Sequence, residues 1–129
     1  MSASKSSYLR TKQIEAALKA VAFTGPATIY IAFHTAAPGL AGANEVSGNA
    51  YARVAVAFGA SAAGVVLNST SPTTPAPTPA NWGTLTHFSL WDALTVGNML
   101  YGDALNNPVS TSVGVPVNIP VSSLSISET

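Results

Sequence analysis

The chain has 129 residues, of which 47% are hydrophobic and only 8% charged, with a formal net charge of zero and no cysteine. One domain of this length can bury a single core. The absence of cysteine excludes disulfides, thiolate metal sites and cysteine nucleophiles. Soluble domains ordinarily carry about 25% charged residues, so the polar surface here falls to Ser, Thr, Asn and backbone, and an uncharged monomer of this kind tends to associate.

The charges are segregated. Lys5, Arg10, Lys12 and Lys19 against Glu15 give the first 19 residues a net +3. The remainder, with Arg53 against Glu45, Asp92, Asp103 and Glu128, carries −3. Four cations over such a length are a weak signal for nucleic acid, and a solvated helix face is the favoured reading. No secretory signal or membrane span is expected.

In chain order, Ser6 or Ser7 can cap a helix whose apolar positions Ile14, Ala17, Leu18 and Val21 recur at helical spacing. Gly25-Pro26 stops it, which predicts a helix over 7–24 and a β-domain over 27–129. "TIYIAFH" alternates at period two, placing Ile29, Ile31 and Phe33 on one face. Residues 36–49 read as a loop, and "YARVAVAF" as a second alternating strand with Val54, Val56 and Phe58 inward. "GVVLN" is a short strand. The four prolines within 69–80 predict an extended surface loop.

"GTLTHFSLWDA" has large apolar groups at both parities, as a central strand covered on two sides requires; Leu85, His87, Ser89 and Trp91 share one parity, Phe88 and Leu90 the other. A turn at Val96-Gly97-Asn98 leads to another strand and then a loop at "NNPVSTS". In "VGVPVNIPV" every second residue is Val or Ile, and Pro116 and Pro120 remove donors from one side, which predicts an edge strand. The parity shift to Leu124 and Ile126 predicts a bulge near Ser122-Ser123. About seven short strands and one N-terminal helix point to a mainly β, single-domain β-sandwich of jelly-roll-like form.

The chemistry-bearing residues do not assemble into a motif. His34 and His87 lack an HxH, HxxxH or acidic partner at ligand spacing, and each is expected to line a strand and bond to backbone. There is no calcium loop, no GxSxG elbow and no phosphate-binding loop ending in Lys. The expectation is therefore a protein without catalytic, cofactor or metal sites. Trp82, Trp91, Phe88 and Tyr101 are open to two readings, a sugar-stacking platform or a packed core, and their strand setting favours the core. Asn68-Ser69-Thr70 matches a glycosylation sequon that carries no weight without a secretion route.

The order "ATIYIAFHTAAPG", "NEVSGNAYARVAVAFGA", "NWGTLTHFSLWDALTVGNMLYGDAL" resembles a family of small bacteriophage virion proteins labelled tail fibre or head-decoration proteins. The likeness runs from about residue 8 to the C-terminal strand. It implies a non-enzymatic component of the virion exterior, assembled in the bacterial cytoplasm as a homotrimer. Its partners would be copies of itself and the major capsid protein or other virion proteins, with no nucleic acid and no membrane, and with a host glycan as a further partner. The leading expectation is a capsid-decorating (cement) protein, and the alternatives are a tail-fibre or tail-tip component contacting the host surface and a carbohydrate-binding module. The candidate virion contact is the basic segment Lys5, Arg10, Lys12 and Lys19, which an acidic surface would steer.

Overall fold

The computed structural model describes residues 4–127, so Glu128 and the outermost residues of the domain predicted for 1–129 lie outside the described residues. The elements are β1 (Ser4–Lys5), α1 (Ser7–Leu18), β2 (Ile29–His34), β3 (Val54–Val56), β4 (Val65–Leu67), β5 (Thr84–Trp91), β6 (Met99–Ser110) and β7 (Ser125–Ser127). Five strands form one antiparallel sheet in the order β1-β6-β5-β2-β3, and β4 pairs with β7 in a two-stranded sheet. This is the mainly β architecture with one helix that the sequence predicts, compatible with a small β-sandwich.

The core lies between these layers. Ile31, Phe33, Val56, Leu85, Phe88 and Leu90 from the main sheet meet Val117, Ile119, Leu124 and Ile126 from the C-terminal segment, with Trp82 among them. β5 is central, as expected, because both its faces are covered: the opposite face carries a smaller cluster of Ala32, Trp91 and Met99. The parity reading fails at one point. The register shifts between Leu85 and His87, where Leu85 pairs Val109 and His87 pairs Ala104. That bulge turns Leu85 to the Phe88 side. The extra residues on β6 include "NNP", read above as loop, which here belongs to an irregular part of a long strand.

Five further expectations are corrected. The helix ends at Leu18, not near residue 24: Ser6 caps it as predicted, its Oγ accepting the Leu9 N–H, but Lys19 is the C-cap and Ala20 has φ 55°. Leu9 alone is buried on α1, while Ile14, Ala17, Leu18 and Val21 are exposed. An isolated helix gains little from each added residue unless a buried face supports it, so the apolar pattern without a partner does not carry the helix to Gly25.

The segment 113–121 forms no strand. Val117 and Ile119 are buried, but they are joined to the proline-rich segment through the Val117 N–H to Thr74 Oγ1, the Thr74 N–H to Val117 O and the Ile119 N–H to Pro72 O. Pro116 and Pro120 lack the donors for a regular ladder, and single bridges replace it. The segment 69–80 is consequently more than a surface loop, since Pro72, Thr74 and Pro77 are buried. The predicted bulge at Ser122-Ser123 is a tight turn, with Ser122 at φ 64° and the Ser123 N–H on Pro120 O. The strand expected over 51–58 is regular only at Val54–Val56.

Candidate functional site

The three segments that carry the family resemblance converge under one loop. β2 and β5 pair so that Ala32 lies opposite Ser89 and His34 opposite His87. Loop residues 35–46 fold back over this face. Gly42 and Ala43 both donate their N–H to Pro38 O, Asn44 Nδ2 donates to Ala37 O, and the Val46 N–H donates to Phe33 O.

A polar relay ties the loop down. Trp91 Nε1 donates to Ser89 Oγ at 2.6 Å, Ser89 Oγ lies 2.6 Å from His34 Nε2, and His34 Nδ1 lies 2.8 Å from the carbonyl of Ala43. A carbonyl only accepts, so Nδ1 holds the ring proton and Nε2 accepts from Ser89. Burial holds the His34 pKa below its usual 6.5, outweighing the Ala43 bond that favours the charged ring. His34 thus lines a strand and bonds backbone, as the sequence predicts; His87 instead meets the Thr86 hydroxyl at 2.8 Å.

Beside the relay sits a charged clasp. Arg53 Nε and Nη2 reach Glu45 Oε2 and Oε1 at 2.9 and 2.8 Å, and Tyr51 OH donates to Glu45 Oε2 at 2.8 Å. Arg53 Nη1 also donates to the carbonyls of Ala93 and Val96 at 2.9 and 2.8 Å. Burial alone would raise the Glu45 pKa, but the bonds from Arg53 and Tyr51 prevail and hold it below 4.5. The Tyr51 hydroxyl also accepts the Phe33 N–H, and burial drives its pKa well above the ordinary 10.0. Arg53 is the only Lys or Arg beyond residue 19. A lone cation within an alternating strand, with a single Glu just upstream, was the available signal for this clasp, which sequence reasoning missed as a unit.

The Ser89–His34 contact resembles a nucleophile and its base, but both residues are 0% exposed and His34 has both ring nitrogens engaged. A nucleophile must meet its substrate, and this pair instead joins loop to sheet. Among the described residues, no three or more His, Asp or Glu gather where a metal ion could be held. The two tryptophans settle as core. Trp82 and Trp91 are buried, Trp82 Nε1 donates to Asn49 O, and Tyr51 meets Trp82 edge-on at 5.4 Å. Neither indole presents an open face to a sugar. The Asn68 of the sequon is buried too.

The four predicted contact cations do not form one patch. Lys5 on β1 and Arg10 on α1 line a shallow groove with Gln13, Ile14, Ala17 and Leu18. Lys12 and Lys19, about two turns apart, lie on another side of α1, where Lys12 Nζ sits 5.8 Å from the Tyr8 ring.

This small β-domain uses its buried polar groups to fasten its own loops and keeps aliphatic side chains at the surface. The chain is a member of the family described as Podophage GP4 fiber I protein gp80, whose family model matches residues 4–127. It is thus a phage fibre-type virion protein. No curated protein matches the chain.

Proposed function

We propose that this chain is a non-enzymatic structural subunit of the podophage fibre and acts as copies of itself on the outside of the particle. The family membership carries this reading, and it favours the fibre over the capsid-decorating role that the sequence put first. The surface supports it: Ile14, Leu18, Leu94, Val96, Val113, Val115 and Val121 are all exposed in the isolated chain, aliphatic area that association would bury. Function in such a subunit is buried area repeated by symmetry. The basic segment remains the candidate for contact within the virion, with Lys5 and Arg10 on one side of α1 and Lys12 and Lys19 on the other.

Labelling the protein on intact particles and imaging them by electron microscopy tests the assignment. Label on the tail appendages is the expected result. Label spread over the head facets would restore the capsid-decorating reading, and particles without label would remove both.

A further inference from the structure

The turn joining β5 to β6 combines strain, rigidity and exposure. Val96 has φ 56°, in the left-handed region that a β-branched residue rarely enters, and its side chain is 84% exposed. Asn or Gly would suit that backbone better, and Val96 finds no apolar shelter within its own chain to offset the strain. The turn is nevertheless firmly held. Arg53 grips the Ala93 and Val96 carbonyls, while Asp92 Oδ1 and Oδ2 accept the Asn98 backbone N–H and Nδ2 at 2.7 and 3.0 Å. Strain that its surroundings over-determine is typical of functional positions. Here it presents Val96, with the half-exposed Leu94, as an apolar knob beside a carboxylate.

The matching hollow is on α1. Ile14, Ala17 and Leu18 give it an apolar lining, and Lys5 and Arg10 line it as well. The turn carries the Asp92 carboxylate and the groove is lined by the Lys5 and Arg10 cations, so contact between copies sets opposite charges against each other. We infer that the β5–β6 turn of one copy seats Leu94 and Val96 in the α1 groove of a second copy, with Asp92 facing Arg10 and Lys5. The contact joins two different surfaces, so it is heterologous and builds a cyclic oligomer when its rotation closes. It rests on the reading of this chain as a self-assembling fibre subunit and names the surface through which it assembles.

The chain lacks cysteine, which permits a direct test. Leu18→Cys and Val96→Cys are produced separately and also together in one cell, and each sample is oxidised. The expected result is a covalent dimer from the co-produced pair and none from either variant alone. A disulfide of comparable yield in a single variant shows a like-to-like contact and overturns the inference. No mixed disulfide in a protein that still sediments as an oligomer overturns this surface and leaves self-association standing; a native chain that sediments as a monomer overturns both. Val96→Gly supplies a second readout. It should relieve the strain and leave the melting temperature of the monomer unchanged or higher, while weakening association by at least about tenfold, the loss given by about 1.4 kcal/mol. Association as tight as the native chain's would overturn the knob.

Discussion

The Arg53 guanidinium carbon lies over the Trp91 indole, 3.9 Å from the ring centroid, while two of its nitrogens form a two-point ion pair with Glu45. One side chain thus joins the loop that carries Glu45, the central strand that carries Trp91, and the β5–β6 turn. Its side chain is 7% exposed and that of Glu45 20%, so the pair is desolvated and deleting one partner strands the other. Arg53→Ala should cost about 3 kcal/mol, toward the lower end of the range for buried pairs because Glu45 keeps some solvent. Arg53→Lys should recover little, since an ammonium has no planar fork to span a carboxylate and two carbonyls. Urea unfolding measures both. A double-mutant cycle with Glu45→Gln should show strongly non-additive losses, and additive losses would mean that the pair does not act as a unit.

Acid should loosen the same region in two stages. The folded pKa of His34 lies below 6.5, so as the pH falls the unfolded chain takes up this proton first. The stability linked to His34 is therefore whole above pH 6.5 and declines as the pH drops below it. The folded pKa of Glu45 lies below 4.5, so its contribution is whole above that pH and declines beneath it. Urea midpoints measured against pH should show the first decline in the native chain but not in His34→Gln, and the second in both. A first decline that persists in His34→Gln would move its origin elsewhere.

Much of this was legible in the residues, and the misreadings share a cause. β2 announces itself by period two, β5 by large apolar groups at both parities, and the Ser6 cap by its chemistry, because all three are local signals. The end of α1 was misplaced because Ile14, Ala17 and Leu18 make an amphipathic pattern that nothing in the same chain covers. The segments 69–80 and 113–121 were misread because each is the other's partner. Thr74 meets Val117 across 43 residues through side-chain and single backbone bonds, a pairing with no periodicity to betray it. The Glu45–Arg53 clasp lay within a motif noted only for its order.

Gly42 is held to glycine by two separate constraints. Its φ is 89°, and a Cβ built there would overlap Cζ2 and Cη2 of Trp91. Gly39 also has positive φ, 64°, but a Cβ there meets nothing within 4 Å. Gly39→Ala should therefore lose only the backbone preference, about 1–2 kcal/mol. Gly42→Ala should lose that and a further ~1–3 kcal/mol of overpacking, with a change in tryptophan fluorescence that Gly39→Ala does not show. Equal losses at the two sites would place Trp91 farther from the loop than this fold has it.

Asn68 shows how a chain with few charges fixes a segment that has no ladder. Its Nδ2 donates to the carbonyls of Thr70 and Pro120 at 2.8 and 2.9 Å, and its Oδ1 accepts the Leu124 N–H at 2.9 Å. The side chain is 1% exposed, and Leu124 is 2% exposed. Asn68→Ala strands the buried Leu124 N–H, while Pro120 O keeps its bonds from Ser123 and the Thr70 carbonyl belongs to an exposed residue. One unsatisfied buried group costs about 1–3 kcal/mol, and a loss in that range is expected. Asn68→Asp keeps the acceptor for Leu124 but sets a carboxylate against the two carbonyl oxygens, and should be no better than alanine at neutral pH. Amide exchange locates the damage. Protection should fall at Val117, Ile119 and Leu124, whose N–H groups bond Thr74, Pro72 and Asn68, while Ile31 and Phe88 in the paired strands keep theirs. Uniform loss across the sheet would mean that the C-terminal segment and the sheet open as one unit, and that Asn68 supports the whole fold.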